Sequence, residues 1–190
     1  MSTPTAATGM PTGMTLWLTG LPGSGKSTLA QALARELTDK RIRTQVLDGD
    51  ELRANLSADL GFTEHDRDVH IRRVGFVAQL LASHGVVVLV PVIAPFDRSR
   101  AEVRRRHEER ETPYLEVHVS TPVSECMRRD PKGLYAKAAA GKIPNLTGYN
   151  DIYEEPNKPD LRVDTAELDL AESREMMLKL LEQHGLSATS

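Results

Sequence analysis

Several features that would mark a secreted or membrane protein are missing from this sequence. It contains one cysteine, Cys126, so no disulfide can form within the chain, and this composition is typical of a reducing compartment. Its longest apolar run, residues 86–94, is too short to cross a bilayer and contains Pro91. The N-terminus has no basic region followed by an apolar one, so no secretory signal is expected. We therefore expect a cytoplasmic protein that does not enter a membrane.

An excess of charge of either sign is also missing. The formal net charge is −3 over 190 residues, which gives no electrostatic reason to expect binding to nucleic acid or to an acidic membrane. The most basic stretch, residues 98–110, has glutamates between its arginines and is therefore interpreted as a solvated helix face. Any attraction for phosphate must be local.

The most informative stretch that is present is rich in glycine. It lies between an apolar run, residues 14–19, and a helix-forming stretch that begins near Lys26. It consists of Gly20, Leu21, Pro22, Gly23, Ser24, Gly25, Lys26, Ser27 and Thr28. A strand, a glycine-rich turn and a helix N-terminus are what a phosphate-binding loop requires, because backbone N–H groups and the helix dipole then surround the phosphates. Lys26 is expected to reach the β- and γ-phosphates of ATP, and the Ser27 hydroxyl to bind Mg²⁺. A turn that binds nothing is the alternative, against which the spacing and the Lys-Ser pair both argue.

Apolar runs alternate with helical patterns along the rest of the chain. Strands are predicted at residues 14–19, 43–47, 86–90, 114–119 and 161–163, with helices between them. The alternation predicts one α/β domain over residues 14–190, with a parallel central sheet and helices on both faces, as in P-loop nucleotide kinases. Residues 1–13 are interpreted as a flexible tail, and residues 128–159, which have little periodicity, as a lid. Thr63 and Asp66 have the spacing of a helix cap.

Two aspartates follow the second predicted strand, at the edge of the sheet where ligands are expected. Asp48 and Asp50 are separated by Gly49, so their side chains can diverge toward a metal ion and an acceptor hydroxyl. A kinase, which transfers a phosphoryl group from ATP to an acceptor hydroxyl, needs a carboxylate to take the proton of that hydroxyl or to hold Mg²⁺. We predict that Asp50 orients the hydroxyl and acts as the base, with Asp48 in support. An Asp-Gly turn without a catalytic role is the alternative.

Two arginines flank an aromatic residue in the next segment. Arg53 and Arg67 lie on either side of Phe62, and this combination suits a planar base that carries an anionic group. Two solvated arginines and a core phenylalanine would have the same spacing. Cations in the predicted lid could close over the triphosphate and exclude water, although a solvated loop fits those residue types equally well.

Together these stretches resemble the adenylylsulfate kinases (APS kinases), from Leu16 to about Thr165. The matching residues are Gly20–Thr28, Leu47-Asp48-Gly49-Asp50 with Arg53, Asp59-Leu60-Gly61-Phe62, Asp66-Arg67, Ile71-Arg72-Arg73, Ile93-Ala94-Pro95, Arg129-Asp130 with Lys132-Gly133-Leu134-Tyr135, and Thr147-Gly148 with Tyr153-Glu154. This set is much more specific than the phosphate loop, which many unrelated NTPases share.

The resemblance implies phosphorylation of the 3′-hydroxyl of adenosine 5′-phosphosulfate (APS) by Mg²⁺-ATP, which gives 3′-phosphoadenylylsulfate (PAPS). By the same resemblance the substrate is held by Arg53, Phe62 and Arg67. The backbone near Ile93 would approach the substrate, Lys137 would close above it, and Arg129 would lie against the ATP adenine. The resemblance also implies a homodimer, and a separate ATP sulfurylase that supplies APS.

The sequence departs from the family pattern at three positions on the acceptor side. Ala94 stands where the family often has a serine that can become phosphorylated, so we predict direct in-line transfer. His70 stands where an asparagine usually contacts the substrate. Leu146 replaces an aromatic residue that often stacks on the substrate adenine, a difference of ~1–3 kcal/mol by analogy with base stacking. His70 and Leu146 leave open the alternative of a P-loop kinase of another small alcohol or nucleotide. A non-catalytic ATP-binding regulatory subunit is a further alternative, against which Asp48, Asp50 and the predicted lid argue.

Overall fold

The structure is a computed structural model that describes residues 13–186, so the predicted tail lies outside the described residues except for Gly13. Its strands are β1 (Met14–Thr19), β2 (Thr44–Val46), β3 (Val87–Pro91), β4 (Tyr114–Val119) and β5 (Leu161–Val163). Its helices are α1 (Lys26–Asp39), α2 (Gly49–Leu56), α3 (Glu64–Ala82), α4 (Asp97–Glu108), α5 (Val123–Arg129), α6 (Leu134–Ala139) and α7 (Leu170–Gln183). Within the described residues, no helix is long and apolar enough to cross a membrane.

The five strands form one parallel sheet in the order β2-β3-β1-β4-β5. Side chains alternate between its two faces, as strand geometry requires. Leu16 and Leu18 of β1 pack with residues of α1 and α7, whereas Trp17 packs on the opposite face with residues of α3 and Val103 of α4. The predicted α/β fold with helices on both faces is therefore confirmed, and its phosphate loop lies at the carboxyl edge of the central strand.

The third helix begins where the capping residues predict. The Thr63 hydroxyl accepts a hydrogen bond from the Asp66 N–H at 3.2 Å, and the Asp66 carboxylate accepts one from the Thr63 N–H at 3.3 Å. This reciprocal pair satisfies two N–H groups that the helix would otherwise leave without partners.

The interpretation of the basic helix as a solvated face is wrong for one side of α4. His107 is fully buried, and only 2% of Arg100 is exposed. The Arg100 guanidinium pairs with the carboxylate of Glu116 on β4, 2.9 Å away. Arg98, on the outer side of the same helix, pairs with Glu64 and Asp68 of α3. Arg100 therefore stabilises the contact of α4 with the sheet, and Arg98 stabilises its contact with α3.

The predicted lid contains a short helix, α6, that the sequence analysis does not predict. Tyr135 and Ala138 of this helix pack with Cys126 and Leu146 in a small apolar cluster. The Tyr135 hydroxyl donates to the carbonyl of Pro22 at 3.0 Å, which joins α6 to the phosphate loop. That residues 128–159 move as a lid stays a prediction.

Candidate active site

The phosphate loop connects β1 to α1 and is formed by backbone conformations that favour glycine. Gly25, at the N-cap of α1, has a φ of 97°. At Gly20, an added Cβ atom would lie 2.4 Å from the carbonyl oxygen of Val119 on the neighbouring strand β4, so no side chain fits there. Because these two positions favour glycine, the loop backbone can lie close to the edge of the sheet, and the N-terminus of α1 faces the same space.

Lys26 is the buried cation of this loop. Its ammonium group donates to the carbonyls of Gly20 and Leu21 at 2.9 and 2.7 Å, and to the Ser24 hydroxyl at 3.3 Å. Burial lowers the pKa of Lys26 to about 8, while the carboxylates of Asp50 and Asp48 act in the opposite direction. The group is therefore mostly protonated at pH 7, and phosphate oxygens would favour this charged form further.

Two threonines that follow the ends of β4 and β5 support the phosphate loop. The hydroxyls of Thr121 and Thr165 both donate to the carbonyl of Ser24, at 3.2 and 3.0 Å. The Arg129 guanidinium donates to the Thr165 hydroxyl and to the Thr165 carbonyl, both at 2.7 Å. Arg129 thus lies on the β5 side of the loop, away from the acceptor residues, and a contact with adenine remains a prediction.

Asp48 and Asp50 are brought next to the loop by the end of β2. The Ser27 hydroxyl donates to one Asp48 oxygen at 3.1 Å, and the other oxygen accepts from the Asp50 N–H at 3.0 Å as the N-cap of α2. The Asp50 carboxylate is exposed and pairs with Lys132. Hydroxyl and carboxylate oxygens are the ligands that Mg²⁺ prefers, so Ser27 and Asp48 fit a magnesium site.

Arg53 and Phe62 form the open face of the predicted acceptor side. The Arg53 guanidinium lies 4.7 Å from the centre of the Phe62 ring and donates to the Gly61 carbonyl at 2.8 Å. Phe62 is 61% exposed, which is unusual for a phenylalanine. A cation stacked on an accessible ring is suited to an anionic ligand with a planar base.

Arg67 is buried and joins α3 to the chain between α6 and β5. Its guanidinium donates to the Phe62 carbonyl at 3.0 Å, the Thr147 hydroxyl at 2.6 Å and the Asn145 carbonyl at 2.7 Å. The carboxylate of Asp151 lies 3.3 Å from the same group. In this arrangement Arg67 holds residues 145–151 against α3, and most of its N–H groups already have partners.

His70 lies one helical turn after Arg67 and is 5% exposed. Its Nδ1 atom is 2.9 Å from the hydroxyl of Ser57. Burial, followed by the charges of Arg53 and Arg73, lowers the pKa of His70 to about 4. The imidazole is therefore neutral at pH 7, beside the arginines of the acceptor side.

The backbone after β3 is held at three successive carbonyls. The Thr19 hydroxyl donates to Ile93 at 2.5 Å, the Arg100 guanidinium to Ala94 at 2.8 Å, and the Glu154 N–H to Pro95 at 2.8 Å. Ala94 has a φ of 45°, a conformation that costs a residue with a Cβ atom ~1–3 kcal/mol and persists only where its surroundings impose it. The three donors impose it here, so the backbone of this turn is fixed at the carboxyl edge of the sheet, where it borders the crevice beside the phosphate loop.

Two predicted substrate residues are placed differently from the others. Leu146 is 6% exposed and packs inside the cluster of Cys126, Tyr135 and Ala138. Lys137 is exposed on α6. Contact of either side chain with a substrate stays a prediction.

The structure adds residues that the sequence analysis did not select. Thr121 and Thr165 each follow the end of a parallel strand, and that position alone could have drawn attention to them. Arg100 and Thr19 act on the β3 loop through contacts between distant segments, and no local pattern marks them. Lys132 belongs to a stretch that resembles the family, but its contact with Asp50 depends on the tertiary structure.

Comparison with known proteins agrees with this geometry. The family model described as adenylylsulphate kinase matches residues 12–164. The chain belongs to the adenylylsulphate kinase family. An adenylyl-sulfate kinase of Myxococcus xanthus is 48% identical over 182 residues, which are 94% of this chain and 96% of that protein. The solved structure of the Mycobacterium tuberculosis APS kinase CysC in complex with AMPPNP and APS superimposes with a TM-score of 0.88 and 47% identity, and covers 90% of this chain and 99% of that one.

Other members of the family are larger proteins. The bifunctional enzyme NodQ of Azospirillum brasilense is 49% identical over 172 residues, which are 90% of this chain but 27% of that protein. The chain therefore spans about a quarter of the length of the bifunctional relatives that it matches. A hexameric APS kinase from Thiobacillus denitrificans has a TM-score of 0.70 at 34% identity, and matches 93% of this chain and 30% of that one.

Proposed function

We propose that this protein transfers the γ-phosphoryl group of ATP to the 3′-hydroxyl of APS and releases PAPS and ADP. The observation that carries the proposal is the correspondence of the whole domain to CysC, which was solved with AMPPNP and APS. The crevice supports it, because the phosphate loop faces Asp48 and Asp50 across a few ångströms, with Arg53 and Phe62 beyond them.

On the donor side, the loop N–H groups and Lys26 bind the phosphates of ATP. Lys26 releases its contacts with the Gly20 and Leu21 carbonyls for phosphate oxygens, which are stronger acceptors because they are charged. Ser27 and Asp48 would hold Mg²⁺, which when bound neutralises charge on the phosphates. Arg129, which donates to Thr165 on the β5 side of the loop, would contact the base of ATP.

On the acceptor side, Arg53 and Phe62 bind the anionic group and the base of APS, and the rigid turn at Ile93 and Ala94 supports it from the sheet. Asp50 accepts the proton of the 3′-hydroxyl as that oxygen bonds to the γ-phosphorus. The bond from this phosphorus to the β,γ-bridging oxygen breaks, and ADP leaves with the electron pair. Ala94 has no hydroxyl, so the phosphoryl group passes directly to the acceptor.

The partners proposed for the protein are a second copy of the chain and an ATP sulfurylase. Similar proteins occur as assemblies and as parts of bifunctional enzymes, which supports both. Two copies per particle in light scattering of the purified protein would agree with the first.

The proposed activity is tested by incubating the purified protein with Mg²⁺-ATP and APS and measuring PAPS. We expect Lys26→Ala to lower the rate by at least ~10²-fold, because it removes a charge that stabilises the transferring phosphoryl group. Lys179→Ala, at an exposed lysine on α7, is the matched control and should retain the full rate. A protein that makes no PAPS, yet phosphorylates another alcohol in a panel of small acceptors, would contradict the proposal.

A further inference from the structure

Tyr153 and Glu154 take no direct part in the proposed transfer, although they belong to the residues that resemble the family. They lie between α6 and β5, near the end of the predicted lid. The Glu154 N–H donates to the Pro95 carbonyl at 2.8 Å, and the Glu154 carboxylate accepts from the Asp97 N–H at 2.7 Å. The main chain and the side chain of one residue therefore hold the turn after β3 (residues 93–97), which ends at the first residue of α4.

Helix α4 uses this contact because its own N-cap supplies none. The N-cap is Phe96, which makes no side-chain hydrogen bond to the helix, and the Asp97 carboxylate pairs with Arg100 instead. The first N–H groups of a helix have no partner within it, and the helix dipole favours a negative charge at this end. Glu154 supplies both the acceptor oxygen and the charge from 57 residues further along the chain. The start of α4 is therefore fixed from the lid side.

Tyr153 holds the other end of the same turn through Thr19. The Thr19 hydroxyl uses its single proton in the bond to the Ile93 carbonyl, so the Tyr153 hydroxyl, 3.0 Å away, donates to Thr19. Burial raises the pKa of Tyr153 to about 12, so this proton is present at neutral pH. Two hydroxyls in series therefore fix the Ile93 carbonyl from the segment that also caps α4.

The segment that carries these two residues is anchored at its other end on Arg67. The Arg67 guanidinium donates to the Asn145 carbonyl and to the Thr147 hydroxyl, and the Asp151 carboxylate lies 3.3 Å from it. Residues 145–154 thus connect α3, which carries part of the predicted acceptor side, with the turn after β3. One stretch of chain sets the separation of these two parts of the crevice.

We propose that Glu154 is a positioning residue for the acceptor. It caps α4 and holds the Pro95 carbonyl, and so fixes the turn after β3, through which it acts on the acceptor without touching it. Ala94, within this turn, has a φ of 45° that persists only while its surroundings impose it. Without the cap the turn can relax, and acceptor binding becomes weaker. The inference rests on the proposed function, in which this turn supports the acceptor.

A cap that serves only the stability of α4 would have different consequences. Glu154 is exposed, and its backbone bond to Pro95 remains when the side chain is replaced, so the substituted protein should fold. Removing the carboxylate would then lower the melting temperature and leave the binding of both substrates unchanged.

The test compares Glu154→Ala and Glu154→Gln with the unchanged protein in the PAPS assay. For Glu154→Ala we expect the KM for APS to rise about tenfold, with kcat and the KM for ATP changed less than about threefold, because the turn supports the acceptor equally in the ground and transition states. Glu154→Gln should keep the original KM, since its amide oxygen can still accept the Asp97 N–H. Glu155→Ala, at the neighbouring exposed glutamate, is the matched control and should also keep the original KM.

Binding measured without turnover separates this inference from the proposed acceptor. Calorimetric titration of APS into the protein with Mg²⁺-ADP should give a Kd about tenfold higher for Glu154→Ala, in line with the change in KM. If the unchanged protein makes no PAPS, the proposed acceptor is wrong, and the variants are compared with the alcohol that the panel identifies. A tenfold higher KM for that alcohol in Glu154→Ala would support the role of Glu154. An acceptor KM and Kd that are both unchanged in Glu154→Ala would overturn the inference.

Discussion

Lys26, Arg67 and Arg100 show how single buried charges are accommodated in this site. Each is less than a tenth exposed, and each has partners within hydrogen-bonding distance. An unpaired charge in such a place would cost several kcal/mol, so these partners are needed for the fold to persist. Arg100 connects the loop after β3 to Glu116 in the sheet and so keeps that loop rigid. Lys26, by contrast, donates to uncharged carbonyl oxygens, which phosphate oxygens can replace as acceptors.

Leu146 gives a prediction at the same scale. Because its side chain fills the cluster with Cys126 and Tyr135, Leu146→Ala should leave a cavity and lower the free energy of unfolding by ~2–4 kcal/mol. Ile152→Ala, in the same segment but at a side chain that is 63% exposed, should change it by less than ~0.5 kcal/mol. Urea titration of both variants measures the difference. Equal effects would mean that Leu146 does not pack in the cluster.

At the scale of elements, the site depends on how α3 and α4 pack. Helix α3 holds Arg67 and His70, and α4 holds Arg100, so a shift between the two helices would move both sides of the crevice. Gly75 lets them approach closely, because a Cβ atom there would lie 2.5 Å from a Val103 methyl group.

Gly75→Ala should therefore destabilise the protein, although the same change on an exposed helix surface would stabilise it by ~1 kcal/mol. We expect overpacking to cost ~1–3 kcal/mol and to lower the melting temperature. The double variant Gly75→Ala/Val103→Ala should be more stable than the sum of the single changes, because the smaller side chain accepts the new methyl group. Thermal unfolding of the three variants tests this, and a higher melting temperature for Gly75→Ala would be inconsistent with the packing.

At the scale of the whole molecule, buried histidines link stability to pH. Burial lowers the pKa of His70 and of His118 to about 4, and also lowers the pKa of His107. The unfolded chain, with ordinary histidine pKa values near ~6.5, binds more protons than the native protein between these limits. The contribution of these histidines to stability is therefore full above about pH 6.5 and decreases as the pH falls toward 4, by at most ~1.4 kcal/mol per pH unit for each histidine.

His118→Gln should flatten this dependence. Between about pH 4.5 and 6.5 its unfolding free energy should fall less steeply than that of the unchanged protein, whatever its absolute value. His65→Gln, at an exposed histidine, should keep the original slope. Denaturant titrations at several pH values provide the slopes, and parallel curves for the His118 variant would show that His118 is not held neutral.

Much of the fold could be predicted because local patterns express it directly. The central strands β1 and β3 are almost continuous apolar runs, since both of their faces are covered, and Thr63 with Asp66 caps α3 as their spacing predicts. The short helix α6 was not predicted, because its six residues are stabilised by packing and by the Tyr135–Pro22 hydrogen bond. Helix propensity over so few residues is too weak to mark it.

The sequence by itself determined the phosphate loop, the α/β order and the family, because these depend on neighbouring residues and on periodic burial. Only the tertiary structure decided which charges meet. Arg100 reaches Glu116 and Ala94 through the packing of α4 on the sheet, and Lys132 reaches Asp50 because the turn before α6 docks on the loop. Such contacts join residues that are far apart in the chain, so no local pattern encodes them. They form only when the helices and the connecting turns pack against the sheet.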